Sequence, residues 1–137
     1  MSQSMQIDPV ADLLNGLSVF RAATLRQLAE LGEASGDDVI GELCGLLLAD
    51  APLRLAAMRS GLSSGDTRST EHAAHSLKSS CAMLGGERTA RLCQEIESRS
   101  RRGTVAELAP FIETLALEIP RFLAALNEFA EARRAPE

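Results

Sequence analysis

The sequence predicts an all-α fold: an up-and-down antiparallel four-helix bundle preceded by an additional N-terminal helix or helices. Three observations point there. Between clusters of Gly, Ser and Asp, the residues Leu, Ile and Ala recur three and four apart over stretches of about 15 to 30 residues, and period-two alternation is scarce. Aromatic residues are only 3%, with no Trp or Tyr, so the core must be built from Leu, Ala, Ile and Val, which suits helices better than a sheet. The breaks at Gly85-Gly86 and Gly103 are short, which makes the helices on either side of each antiparallel neighbours.

The elements follow in order. Pro9 to Leu31 is expected to hold one or two helices, with Pro9 in a first turn and Leu25, Leu28 and Leu31 spaced by threes. The next helix starts at Asp37 or Asp38 and is expected to bury Val39, Leu43, Leu46, Leu47 and Leu48. Pro52 should bend it before Leu55 and Met58 continue the stripe. Asp66 can cap a helix that runs to Leu84, where Gly85 supplies the left-handed ending. Another spans about Glu87 to Arg102. Thr104 and Glu107 have capping-box spacing ahead of a last helix carrying Leu108, Phe111, Leu115, Ile119, Phe122, Leu126 and Phe129, which Pro110 and Pro120 should kink or interrupt. The organisation read from these elements is an N-terminal extension over 1–34, the bundle over 35–133 and a C-terminal tail over 134–137.

Composition removes several function classes. A chain of 137 residues with 45% hydrophobic and 24% charged residues is an ordinary globular domain, too short for a second one. Its net charge of -5 has the wrong sign for holding a nucleic-acid backbone, so no nucleic-acid partner is expected. No run of about 18 apolar residues occurs and the start lacks the pattern of a signal peptide, so we expect no membrane partner and a cytoplasmic protein. Cys44, Cys81 and Cys93 lack zinc-site spacing and sit among apolar residues at helical spacing, as small buried thiols do. The five arginines from Arg88 to Arg102 are mixed with Glu87, Glu95 and Glu97 as on a solvated helix face.

Both histidines lie on the helix from 66 to 84. At about 100° per residue, Thr70, Ala73, Ala74, Cys81 and Leu84 fall on the side of Leu77, whereas His75 lies about 160° away. His75 should therefore face solvent with His72, Ser79 and Ala82, with Glu71 at the border and Lys78 one turn on. Exposed His, Lys and Ser on a helix usually do nothing specific. A metal site lacks a third ligand on that face, and Ser–His hydrolysis lacks both an orienting acid and an oxyanion site in the sequence pattern. An exposed imidazole beside an ammonium and small neighbours can, however, take a phosphoryl group covalently.

The run Ala74-His75-Ser76-Leu77-Lys78-Ser79-Ser80-Cys81-Ala82-Met83-Leu84-Gly85 resembles the signature helix of histidine-phosphotransfer (HPt) domains, H-x-L-K-G-S followed by small residues and L-G. The likeness extends from about Asp37 to Phe129, through Ala51-Pro52, Gly65-Asp66 and the run Leu92-Cys93-Gln94-Glu95-Ile96-Glu97. It implies that His75 is phosphorylated, that Lys78 interacts with the phosphoryl group, and that Leu77 and Leu84 anchor the helix. Ser79 stands where the family most often has Gly, a change expected to be tolerated, and Gly86 stands where Ala is common.

The resemblance also implies a place in a two-component phosphorelay. A receiver-domain aspartyl phosphate donates to His75, and a second receiver accepts. The expected partners are response-regulator receiver domains and a hybrid histidine kinase, docking around His75 on a rim formed by Glu71, His72, Ser79 and Ala82. The chain would carry no cofactor of its own, because Mg²⁺ belongs to the receiver, and it has no nucleotide-binding loop for autonomous kinase activity. A monomer is expected. A non-catalytic adaptor, or pseudo-HPt, that binds signalling partners without phosphate is the competing reading, and the dimerisation helices of a histidine kinase are a second.

Overall fold

Each of the first five helices is followed by a glycine at positive φ, at Gly16, Gly36, Gly65, Gly85 and Gly103. The computed structural model describes residues 8–134. Its helices are α1 (Pro9–Leu14), α2 (Ala22–Ser35), α3 (Val39–Ser64), α4 (Thr67–Met83), α5 (Glu87–Arg101) and α6 (Leu108–Arg134). Residues 1–7 and 135–137, which include most of the tail assigned to 134–137, lie outside the described residues. Among the described residues there is no strand, and no helix is long and apolar enough to cross a membrane.

Short polar side chains start several helices. Asp8 accepts from the Val10 and Ala11 amides ahead of Pro9, Asp38 from Gly41, and Asp66 from Ser69. Each satisfies a first-turn donor that has no intrahelical partner. Helices α3 to α6 form the bundle: α4 lies between α3 and α5, and α6 closes the ring against both. The short turns at Gly65-Asp66 and at residues 84–86 make α3, α4 and α5 run up and down. The N-terminal extension shares the same core, because α1 packs on α5 and α6, α2 packs on α3, and Val10, Leu14 and Leu25 join one hydrophobic cluster.

That cluster includes Leu77 and Leu84 of α4, Leu92 and Ile96 of α5, and Phe111, Leu115 and Phe122 of α6, all buried. Burial of such side chains stabilises by roughly 1.5–3 kcal/mol each. The α6 seam is buried from Leu108 through Leu126, and Phe129 is half-buried.

Several expectations are corrected. Leu46 and Leu48 are exposed, as is Leu31, because each flanks a narrow contact stripe: only Leu47 of the first α3 turns is fully buried among the leucines, with Val39 and Leu43 half-buried. Cys44 is half-buried rather than buried. Thr104 does not cap the last helix, which begins at Leu108, and Glu107 instead pairs with Arg99. Neither proline interrupts α6. Pro110 sits in its first turn, where a missing N–H removes no intrahelical bond, and the helix continues through Pro120. Pro52 lies inside α3, as expected, with the helix continuing past it to Ser64.

The α4–α5 turn is closely packed. Gly85 (φ +77°) takes the left-handed conformation, and the backbone of α2's lead-in approaches it. A Cβ on Gly86 would come within 2.5 Å of Thr89 Oγ1 and 2.7 Å of the Phe122 ring, so an Ala does not fit here without displacing its neighbours. Gly86→Ala is expected to lower stability by about 1–3 kcal/mol through overpacking, read as a drop in thermal midpoint. A midpoint equal to wild type would contradict this packing.

Candidate functional site

Six residues of the α4 region, Thr70, Ala73, Ala74, Leu77, Cys81 and Leu84, are buried along one stripe. That stripe fixes the rotation of the helix, and the opposite face is left to His72, His75, Ser79 and Ala82, all exposed. The His75 side chain is 60% exposed and that of Lys78 29%, so the imidazole stands in solvent while the ammonium lies lower, toward α5. Glu71 is half-buried at the edge.

Beneath His75 lies a carboxylate that the sequence reading left on a solvated face. Glu97 of α5 is 7% exposed. Its Oε2 is 2.8 Å from His75 Nδ1, and it accepts from Arg101 at 2.9 Å; its Oε1 accepts from Lys78 Nζ at 2.7 Å. Burial works to raise the Glu97 carboxyl, but the hydrogen bonds from Lys78 and His75 and their charges outweigh it, leaving the group below the ordinary carboxylate value. Glu97 is therefore ionised near neutral pH and can only accept. Nδ1 must donate to it, so the neutral ring is the Nδ1–H tautomer and Nε2 keeps its lone pair, turned away from the carboxylate.

The carboxylate fixes the orientation of the ring, sets a negative charge beside it and holds the Lys78 ammonium one turn from it. Arg101 extends the set by bridging Glu97 and Glu71, with its Nε 2.9 Å from Glu71. A shallow groove on that side is lined by Arg68, Glu71, His72, His75, Glu97 and Arg101. The carboxylate that holds His75 does not hold His72, which is a rim residue of the same groove. Ser79 Oγ donates to the His75 carbonyl at 3.4 Å, so its hydroxyl lies back against the helix rather than standing over the ring. Among the described residues no three His, Cys, Asp or Glu side chains cluster as a metal site.

The charged run on α5 is thus not a plain solvated face. Arg88 makes a two-pronged pair with the nearly buried Glu118, Arg99 stacks 4.5 Å from the Phe111 ring centroid, and Arg101 enters the site. The signal that finds Glu97 is the register of the hairpin. His75 and Glu97 each lie eleven residues from Gly86, and two antiparallel helices joined at that turn bring such positions level.

Comparisons with known proteins bear on the family and the fold. The family model described as "Hpt domain" matches residues 42–132. Among solved structures, the crystal structure of histidine-containing phosphotransfer protein B from Pseudomonas aeruginosa superimposes with a TM-score of 0.72 at 25% sequence identity, covering 88% of this chain and 100% of that one. No curated protein is similar enough in sequence to register as a match.

Proposed function

We propose, for a chain that belongs to the Hpt domain family and so has a role in histidine phosphotransfer, that His75 is its phosphoryl-carrying residue. The observation that carries this reading is the hydrogen bond from His75 Nδ1 to buried, ionised Glu97, which leaves Nε2 as an exposed nucleophile. In the proposed step a receiver-domain aspartyl phosphate docks over α4. The Nε2 lone pair attacks phosphorus in line, the bond from phosphorus to the aspartyl oxygen breaks, and the aspartate departs as a carboxylate. The proton stays on Nδ1, so the phosphorylated ring carries positive charge that Glu97 offsets. Reversal on a second receiver returns the phosphoryl group by the same path.

The chain contributes positioning and charge rather than a metal or nucleotide. Mg²⁺ is assigned to the receiver, and a hybrid histidine kinase is the expected upstream source of phosphate. Carriers in this family are not kinases. We read the chain as a cytoplasmic monomer, with Glu71, His72, Ser79 and Ala82 at the edge of the docking surface and Lys78 facing the phosphoryl oxygens.

The direct test is incubation with a panel of phosphorylated receiver domains. Label that moves to this chain and is acid-labile but alkali-stable is the expected result, and absence of transfer from every receiver would defeat the reading. Lys78→Ala removes one of the cations nearest the ring and is expected to slow transfer on the order of tenfold to a hundredfold, with the fold intact because Lys78 lies outside the core stripe. An unchanged single-turnover rate would exclude Lys78 from the site.

A further inference from the structure

Across the ring from α4, helices α3 and α6 leave an apolar groove between them. Leu48, Pro52 and Leu55 of α3 line it with Ala116, Pro120 and Leu123 of α6. It shares no residue with the groove beside His75. Among the described residues, Arg59 is the only charged side chain on its wall, and that guanidinium closes one end in a two-pronged pair with Glu113. Leu48 is 63% exposed, and Leu117, one turn before Pro120, is 77% exposed. Large apolar side chains gathered on a surface mark a place where another molecule is buried.

Each wall carries a proline inside its helix, Pro52 in α3 and Pro120 in α6. Proline has no N–H, so the carbonyls four residues earlier, those of Leu48 and Ala116, lack the proton that an interior helical carbonyl accepts. Residues four apart share a helix face, and Leu48, Pro52, Ala116 and Pro120 all line the groove, so both carbonyls open onto it. In the free chain water can serve them. An occupant that covers the leucines expels that water, and each carbonyl then needs a new donor to offset its desolvation. An acyl chain has no donor to give. A second copy joined through the same face brings only Arg59, which Glu113 already holds.

We propose that this groove takes an amphipathic helix of another protein, with apolar side chains on Leu48, Leu55 and Leu123 and a lysine or arginine among them donating to the Leu48 and Ala116 carbonyls. A third helix fits along the trough between two others. A cation is the complementary donor, because the carbonyls carry partial negative charge and hydrogen bonds from ionised donors are the stronger ones. The net charge of -5 favours its approach. Bound there, the helix leaves the His75 face open and anchors the chain without competing for that face.

The test selects, on the intact chain, from a library of helical peptides with leucine fixed at i, i+4 and i+7 and the other positions varied. Enrichment of lysine or arginine at i+3, on the leucine face, is the expected result. An enriched peptide should bind Leu48→Glu about tenfold or more weakly, and the exposure of Leu48 keeps that variant folded. Replacing the peptide's cation with norleucine should weaken binding to wild type about tenfold. The same replacement should change little for Pro52→Ala combined with Pro120→Ala, in which both carbonyls regain an N–H. A higher thermal midpoint in that double variant shows that the helical bonds have formed. Prolines that act only as apolar wall would give no such coupling. No enrichment, enrichment without a cation, or a cation effect equal in wild type and the double variant would overturn the proposal. So would a wild-type dimer in sedimentation that Leu48→Glu dissolves, which assigns the groove to a second copy. Flotation with phosphatidylcholine vesicles that the same variant loses would assign it to lipid and overturn it too.

Discussion

Replacing His75 with Gln is expected to eliminate phosphate transfer from a phosphorylated receiver while leaving the bundle folded. The substitution removes Nε2, the ring nitrogen that the neutral imidazole leaves free and exposed while Nδ1 is braced by Glu97. An amide nitrogen has no available lone pair to attack phosphorus, but it can still donate to Glu97, so the charge cluster beneath keeps its arrangement. The His75 side chain is 60% exposed and contributes nothing to the α4 core stripe, so the stability change should stay within about 0.5 kcal/mol, as for an ordinary surface position. Label retained in the acid-labile, alkali-stable form by His75→Gln would assign the phosphate elsewhere. His72→Gln is the matched control. His72 lies one turn earlier on the same exposed face, lacks the carboxylate brace, and should leave labelling near the wild-type level.

The difference between those two histidines marks where sequence reasoning reached and where it stopped. The face that α4 turns to solvent was legible, because a single helix carries its own geometry and six small or apolar residues fix its rotation. The glycine at the end of α4 and the aspartate at its start were legible for the same local reason. Glu97 was not, because a glutamate in a run of arginines and glutamates has no local mark of burial. Its position depends on the register between two helices, which the pattern of one alone does not contain. Leu46 and Leu48 were misassigned from the other side. An apolar run on a helix does not say how wide its contact is, and α3 meets the bundle along a narrow stripe. The supposed capping box failed because Glu107 found a partner in Arg99, a contact made across the α5–α6 turn rather than within one helix.

Glu97 is also where the second large effect is expected. Glu97→Gln keeps the side chain's shape but removes the charge that His75, Lys78 and Arg101 share. The amide oxygen can accept from Nδ1 or from Lys78 Nζ, while the amide nitrogen now faces a cation. Transfer to His75 should slow on the order of tenfold to a hundredfold, the scale on which the carboxylate partners of metal-bound imidazoles act. The equilibrium should also shift toward phosphate on the receiver, because the positive phosphorylated ring loses its counter-charge; an unchanged partition would refute that role. The loss of stability should be about 1–2 kcal/mol, below the 3–5 kcal/mol typical of breaking a buried pair, because the cations left behind reach water. Its pH dependence has a definite sign. The folded carboxyl lies below its unfolded value of 4.5, so its contribution is fully present above that pH and is lost as pH falls through the lower folded value. Thermal midpoints of wild type and Glu97→Gln should therefore differ at neutral pH and draw together only below the ordinary carboxylate range. A gap that already closes between pH 5 and 7 would mean that Glu97 is not held ionised by its neighbours, and the tautomer assigned to His75 would lose its support.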